Sequence, residues 1–434
     1  MKPTEKSSDK SINKVLSLKE LYFISVGGQG PFISLIAFGT PMIVIAGLLS
    51  PLSMVIATII VLVNGLVINS LSRRFARGGG YYTYGLYGLT KRLGFETGWM
   101  YIFYGLNYGG SLMLGGAYVF SLITGIKPFY SLLIILAILS AVFLSGVKIS
   151  ATYAEIFAGA EIVVLVFLAF FLFYMAGFRL YNPFHLSSLD INKVWLGALY
   201  GLGIPTGYGA IAPLAEESKK ARKDIGLAAI LSILTGGLLA TFFFYSLADL
   251  NFTGNLTQFL LSNFGLWIGV LLAIVAISDG VLGGISFLLA VSRVIYNISK
   301  DGFIHPVFSK IHGNRPLIAE LTAAIAMVLL LVPTSYWIGI TNGLIIIPAL
   351  AGLFNLFVHE AANFSLFRIS LVRKSAKKVL ESILSIIAII ISGYLLISSI
   401  IGVNKYVILG FFGWMIVGFF YLEILDISRN AREE

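Results

Sequence analysis

The sequence predicts an all-α integral membrane protein with about twelve transmembrane helices, and three observations predict it. Of 434 residues, 58% are hydrophobic and 12% charged, with a mean hydropathy of +0.93, whereas soluble domains carry about 25% charged residues. Apolar runs of the roughly 20 residues that a bilayer core requires recur from Leu21 to Leu425, joined by short polar connections that leave no space for a large soluble domain. The basic residues fall mainly in every second connection, the distribution that orients a polytopic chain.

In chain order, helices are expected near 21–47, 52–71, 96–125, 128–146 and 154–177. They resume near 194–214, 226–248, 265–298, 317–334 and 338–363, and a last pair follows near 379–401 and 404–425. Residues 1–20 are polar and basic, without the short apolar stretch and small-residue cleavage site of a secretory signal; they read as a cytoplasmic tail, as do residues 426–434. With the N-terminus inside, cytoplasmic segments hold 26 of the 30 Lys and Arg, leaving Lys127, Arg179, Lys193 and Lys405 outside. A multi-pass cell-membrane protein with both termini in the cytoplasm follows. The net charge of +10 and the run Lys219-Lys220-Ala221-Arg222-Lys223 are then anchors beside lipid head groups, and no nucleic-acid partner is required.

The absence of Cys excludes disulfides, thiol catalysis and zinc–thiolate sites, and four His leave little scope for metal chemistry. No phosphate-cradling glycine motif precedes a basic residue, and no His/acid pair has metal-ligand spacing. An enzyme, an ATP-driven pump, a metal and a cofactor are all unexpected on that ground.

Two apolar segments are interrupted. The first contains Gly27-Gly28-Gln29-Gly30-Pro31, and the sixth contains Gly201-Leu202-Gly203-Ile204-Pro205-Thr206-Gly207-Tyr208-Gly209. Proline removes a helix donor and crowds the preceding turn, while glycine tolerates non-helical torsions. Both segments should unwind near mid-membrane, which is tolerated only where the backbone faces protein or a water-filled cavity. The breaks open two five-helix halves, 21–177 and 194–363, followed by helices over 379–425; this is the arrangement of an inverted-repeat transporter with its substrate between discontinuous helices. Gly109, Gly110, Gly115 and Gly116 are read instead as positions of close helix packing.

Three stretches resemble the amino acid–polyamine–organocation superfamily of permeases. They are Leu71-Ser72-Arg73-Arg74-Phe75-Ala76-Arg77-Gly78-Gly79-Gly80-Tyr81-Tyr82 with Arg92-Leu93-Gly94-Phe95-Glu96 after it, Leu214-Ala215-Glu216-Glu217-Ser218, and Ser292-Arg293-Val294-Ile295-Tyr296-Asn297 continuing to Gly302. Their order matches that family from residue 17 to about 370. The resemblance implies a five-plus-five core with two further helices, and secondary transport of amino acids driven by an ion gradient, such as protons, or by exchange. Two departures stand out. The family's usual first break, Gly-x-x-Ile-Gly-x-Gly-Ile-Phe, is replaced by Gly27-Gly28-Gln29-Gly30-Pro31-Phe32-Ile33, and its Gly-Phe-Glu in the sixth helix by Gly207-Tyr208-Gly209. An aromatic gate of some relatives aligns with Gly203, leaving Tyr200 or Tyr208 as substitutes.

An amino acid needs donors for its carboxylate and acceptors for its ammonium. Half-helix amides favour anions, so Gly27, Gly28, Gln29 and Gly30 are the carboxylate candidates. Carbonyls freed around Ile204, Pro205, Thr206 and Gly207 are the ammonium candidates, with Tyr208, Tyr108 and Asp279 as side-chain contacts. Asn107, Ser278 and Asn355 are read either as contacts or as interhelical hydrogen bonds. Glu161 lies in the fifth helix among apolar neighbours, where an ionisable group is costly and marks function by default. It aligns with a position at which some relatives carry a lysine in place of a sodium ion. Three readings stay open: a proton-coupling acid, a cation ligand, or a neutral hydrogen bond between helices. Glu216 and Glu217 form either a closing network with Arg73, Arg74 or Arg293, or a solvated pair. His359 and Glu360 are read as a gate or an interfacial contact. Two other functions compete with amino-acid transport: a polyamine or organic-cation transporter using Glu161 and Asp279 as ammonium partners, and a non-transporting amino-acid sensor. The sequence sets neither the oligomeric state nor the direction of transport.

Overall fold

The computed structural model describes residues 12–180, 182, 189–372 and 377–433. The first eleven residues of the expected tail, with Arg373 and Lys374 of a basic connection, lie outside them. Among the described residues the structure is helical, without strands.

The chain opens on α1 (Leu18–Gln29), entered through Ser17, whose N–H donates to Glu20 Oε2 at 2.9 Å as in one half of a capping box. After Gly30 comes α2 (Pro31–Ser34), which continues through a π-helical turn (Leu35–Gly39) into α3 (Thr40–Ala46), so that 31–46 is one helical run. α4 (Ser50–Ser72) and α7 (Pro128–Leu144) carry proline in the first turn, where its missing N–H costs nothing. Between them lie the short α5 (Tyr81–Gly88), which was not expected, and α6 (Lys91–Thr124), capped by Thr90 accepting from Leu93 N at 3.1 Å. α8 is Val147–Met175, and α9 (Ile191–Gly201) starts at Asp190, which accepts from the amides of Asn192 and Lys193 at 3.0 and 3.2 Å. α10 (Ala221–Asp249), α11 (Leu256–Lys300, bent at Gly265), α12 (Leu317–Pro333), α13 (Gly339–Val372), α14 (Lys377–Gly402) and α15 (Lys405–Glu433) complete the chain.

Every segment expected to be helical contains helix, but the sixth does so only through Gly201; Tyr208–Ala210 and Ala212–Glu216 are 3-10 turns. Pro205 and Pro213 and the glycines among them explain this, since each proline denies the helix a donor. Seven segments among the described residues are long and apolar enough to cross a membrane. Two of them, Leu18–Ser72 and Leu317–Val372, span 55 and 56 residues and hold internal interruptions.

α11 is the centre: 78% of its apolar stretch is buried, against 22% for α14 and α15, which lie at the periphery. α11 packs along α6, and α10 along α4. The small residues expected to permit close packing do so. A Cβ on Gly116 would lie 2.2 Å from the Ala276 carbonyl oxygen, and one on Gly109 3.1 Å from Phe287 Cβ, so any larger residue would part α6 from α11.

Candidate functional site

The chain leaves α1 at Gly30, which is left-handed (φ 58°, ψ 71°), a conformation that glycine adopts without a Cβ penalty. The amides freed by this break belong to Phe32 and Ile33, not to Gly28 or Gln29, which stay inside α1, nor to Gly30, whose N–H bonds Gly27 O at 3.1 Å. Both freed amides donate to one carboxylate oxygen, Asp279 Oδ2 on α11, at 2.9 and 2.6 Å. Asp279 is fully buried and caps the half-helix from within the protein.

The sixth-segment break lies directly against the first. Gly207 has φ 144°, and a Cβ there would stand 2.4 Å from Gln29 N and from the Gly28 carbonyl carbon. Backbone meets backbone, and only glycine permits it. The Gln29 amide reaches across to donate to Pro205 O at 3.1 Å and Ser232 O at 2.9 Å. The Tyr108 hydroxyl lies 2.7 Å from Thr206 O and 3.0 Å from Gly203 O; with a single proton it serves one carbonyl at a time. The carbonyls of Pro205 and Thr206, expected to hold an ammonium, are thus already engaged.

Beside the first break, Glu161 and Asp279 meet. The two carboxyls are near enough to interact directly, and Ser278 Oγ donates to Glu161 Oε1 at 2.6 Å. Glu161 Oε2 and Asp279 Oδ1 are buried acceptors without a donor. Two carboxyls side by side in an apolar interior are costly unless they share a proton. The sequence marked both acids separately but did not place them together.

On the other side of the sixth-segment break, Tyr208 and Tyr81 converge on His359, their hydroxyls 2.7 and 3.0 Å from Nε2, while Nδ1 lies 2.9 Å from Asn355 O. If Nδ1 donates to that carbonyl, Nε2 is the acceptor, and its single lone pair serves one phenol at a time. Tyr101 donates to Gly209 O at 2.9 Å, completing a buried aromatic floor. Of the proposed aromatic substitutes, Tyr208 is buried and Tyr200 is 46% exposed. Phe38 covers Gly203 instead, its ring 2.7 Å from where a Cβ would stand. The π-helical turn that carries Phe38 gave no signal in the sequence. Asn107 does not bridge helices either: its amide donates to Phe103 O in its own helix at 2.8 Å.

The Arg-rich end is closed by a buried ion network. Arg293 binds Glu217 through Nε (3.1 and 3.2 Å) and Nη2, and Glu320 through Nη1 at 2.8 Å. Of the partners expected for Glu216 and Glu217, only Arg293 takes part. Arg74 pairs with Glu381 at 2.5 Å, Arg73 bonds Asn69 in its own helix at 3.3 Å, and Glu216 sits 3.7 Å from Lys300. Leu16 pairs with the same segment, its N–H donating to Glu217 O at 2.9 Å and its carbonyl accepting from Lys219 N at 2.8 Å. In the glycine-rich connection Asp301 binds Arg77 and the Tyr82 hydroxyl, the latter at 2.6 Å. Burial and then the Asp301 carboxylate raise the Tyr82 hydroxyl above the usual phenol range.

A cavity of about 20 Å³ adjoins the breaks, lined by Gln29, Pro31, Ser34, Ile162, Ile204 and Thr235 among others. That is room for one water. The sequence profile of amino acid permeases matches residues 16–424. The chain belongs to that family. The permease is 24% identical over 261 residues to the low-affinity putrescine importer PlaP of Escherichia coli, in strain K12 and in O157:H7, a match covering 56% of each chain. It thus spans about half the length of the curated relatives it matches. In fold it is similar to two mutants of the manganese transporter of Eremococcus coleocola, each with a TM-score of 0.58 and 14% identity, over 98% of this chain and 99 or 100% of theirs. Among the described residues of the permease no three His, Cys, Asp or Glu side chains group to hold a metal ion.

Proposed function

We propose that this permease is a secondary active transporter that carries amino acids across the cell membrane with protons, by alternating access around the two breaks. The observation that carries the reading is the meeting of the breaks at Gly28 and Gly207, with the Glu161–Asp279 pair beside them. Substrate binds where these backbones part, and the acid pair takes the coupling proton. The halves 21–177 and 194–363 form a five-plus-five repeat, and corresponding members pair: α4 with α10, α6 with α11, break with break. Helices over 379–425 flank that core, giving twelve crossings. The Arg-rich end is cytoplasmic by the positive-inside rule, so the closure by Arg293 and Leu16 seals the inner side.

Putrescine or a similar diamine is the second reading, favoured by the acid pair and by the importer relative. Purified protein in liposomes, given an inward proton gradient and either a labelled mixture of amino acids or labelled putrescine, separates them. Wild type should accumulate an amino acid several-fold, and Glu161→Gln with Asp279→Asn together should reduce this to equilibration. Accumulation of putrescine alone would replace the substrate class, and binding without uptake would make the protein a sensor.

A further inference from the structure

We propose that Asp279 is a built-in competitor for the substrate carboxylate: as an anion it holds the amides that open the helical run 31–46, and the coupling proton, by neutralising it, hands those amides to the substrate. The inference rests on the proton-coupled amino-acid reading and adds to it an order, proton before amino acid, and a division of labour between the two acids.

The amides of Phe32 and Ile33 are the donors freed at the first break, and both are spent on Asp279 Oδ2, at 2.9 and 2.6 Å. Bonds from amides to an ionised carboxylate are roughly twice as strong as to a neutral acceptor, so an anionic Asp279 excludes a second carboxylate and a neutral one yields to it. The remaining oxygens, Asp279 Oδ1 and Glu161 Oε2, are buried and lack a donor. One resident proton joins them. It belongs on Glu161, because Asp279 has two amides to stabilise its charge while Glu161 has only the Ser278 hydroxyl at 2.6 Å. At rest the pair therefore carries a single negative charge, located on Asp279. A second proton neutralises that charge, and the substrate carboxylate then brings an equivalent negative charge to the same two amides.

The surroundings leave the pair isolated. On α8 the Tyr153 hydroxyl lies against Ser278. α2 and α7 contain no charged residue. On α1, Lys19 and Glu20 sit at the first turn and pair with Glu155 and Lys148. On α6, Lys91, Arg92 and Glu96 lie at the Arg-rich end. The other charged residues of α11 are Arg293, in its own network, and Lys300.

The test is the pH dependence of counterflow in liposomes, using the labelled mixture of amino acids, for wild type, Glu161→Gln and Asp279→Asn. In wild type the half-saturating concentration should rise about tenfold per pH unit once Asp279 ionises, the slope of a one-proton requirement. Glu161→Gln imitates the resident proton and should keep that slope while moving it along the pH axis. Asp279→Asn should abolish the slope and exchange amino acids at high and low pH alike, without accumulation under a proton gradient. Continued exchange shows that it is folded, and Asp279→Ser, which leaves the amides open, should behave the same way. Loss of the slope in Glu161→Gln with its retention in Asp279→Asn, or equal loss in both, overturns the inference while leaving the coupled reading intact. A wild-type protein with no slope overturns the coupled reading itself.

Discussion

Arg293→Met offers a quantitative check on the closed Arg-rich end. The guanidinium is 1% exposed, and its partners Glu217 and Glu320 are 2% and 1% exposed. Arg293 supplies every ion-pair donor of Glu217 and the 2.8 Å donor of Glu320, whose other oxygen keeps only Arg315 at 3.5 Å. Methionine matches the apolar stem but strands two carboxylates away from water. Breaking a buried pair on one side costs about 3–5 kcal/mol. Replacing the whole group at once, Arg293→Met with Glu217→Leu and Glu320→Leu, removes the desolvation penalty along with the attraction, so this variant should be neutral or up to about 4 kcal/mol more stable than wild type. Arg315 is 26% exposed and can turn to solvent. Equilibrium unfolding in mixed micelles, titrated with a denaturing detergent, reads both values. A single variant within about 1 kcal/mol of wild type, or a triple variant less stable than the single one, would refute the reasoning.

Other outcomes follow from the breaks. Gly207→Ala should cost more than Gly28→Ala, because its Cβ meets backbone at 2.4 Å rather than 2.9 Å; overpacking alone is worth about 1–3 kcal/mol, and uptake should fall with stability. Tyr108→Phe removes the hydroxyl that serves Thr206 O and Gly203 O, an expected loss of about 1–3 kcal/mol in the same unfolding assay. His359→Leu removes the shared acceptor of the Tyr81 and Tyr208 hydroxyls, and should cost a similar amount and raise the exchange rate as the aromatic floor opens.

What could be read in advance follows a physical line. Hydropathy and glycine–proline punctuation depend on residues close in sequence, so the helices and both breaks were legible from 21–47 and 194–214. Partners distant in sequence were not. Gln29 and Ser232 are separated by 203 residues, and Phe32 and Asp279 by 247; no local pattern says that the half-helix amides are capped from within. Phe38 escaped notice because a π-helical turn leaves no periodic mark, and Tyr81 because it lies on a short helix inside a polar-looking connection. Glu161 and Asp279 were conspicuous as lone acids in apolar runs, and their juxtaposition required the fold.

The most direct measurement is the number of protons taken up per amino acid transported, from pH-dye and radiolabel signals recorded together on liposomes holding the purified permease. The account predicts one proton for each amino acid, falling to none when Asp279 is replaced by Asn. Amino-acid transport that moves no proton in the wild-type protein would contradict it.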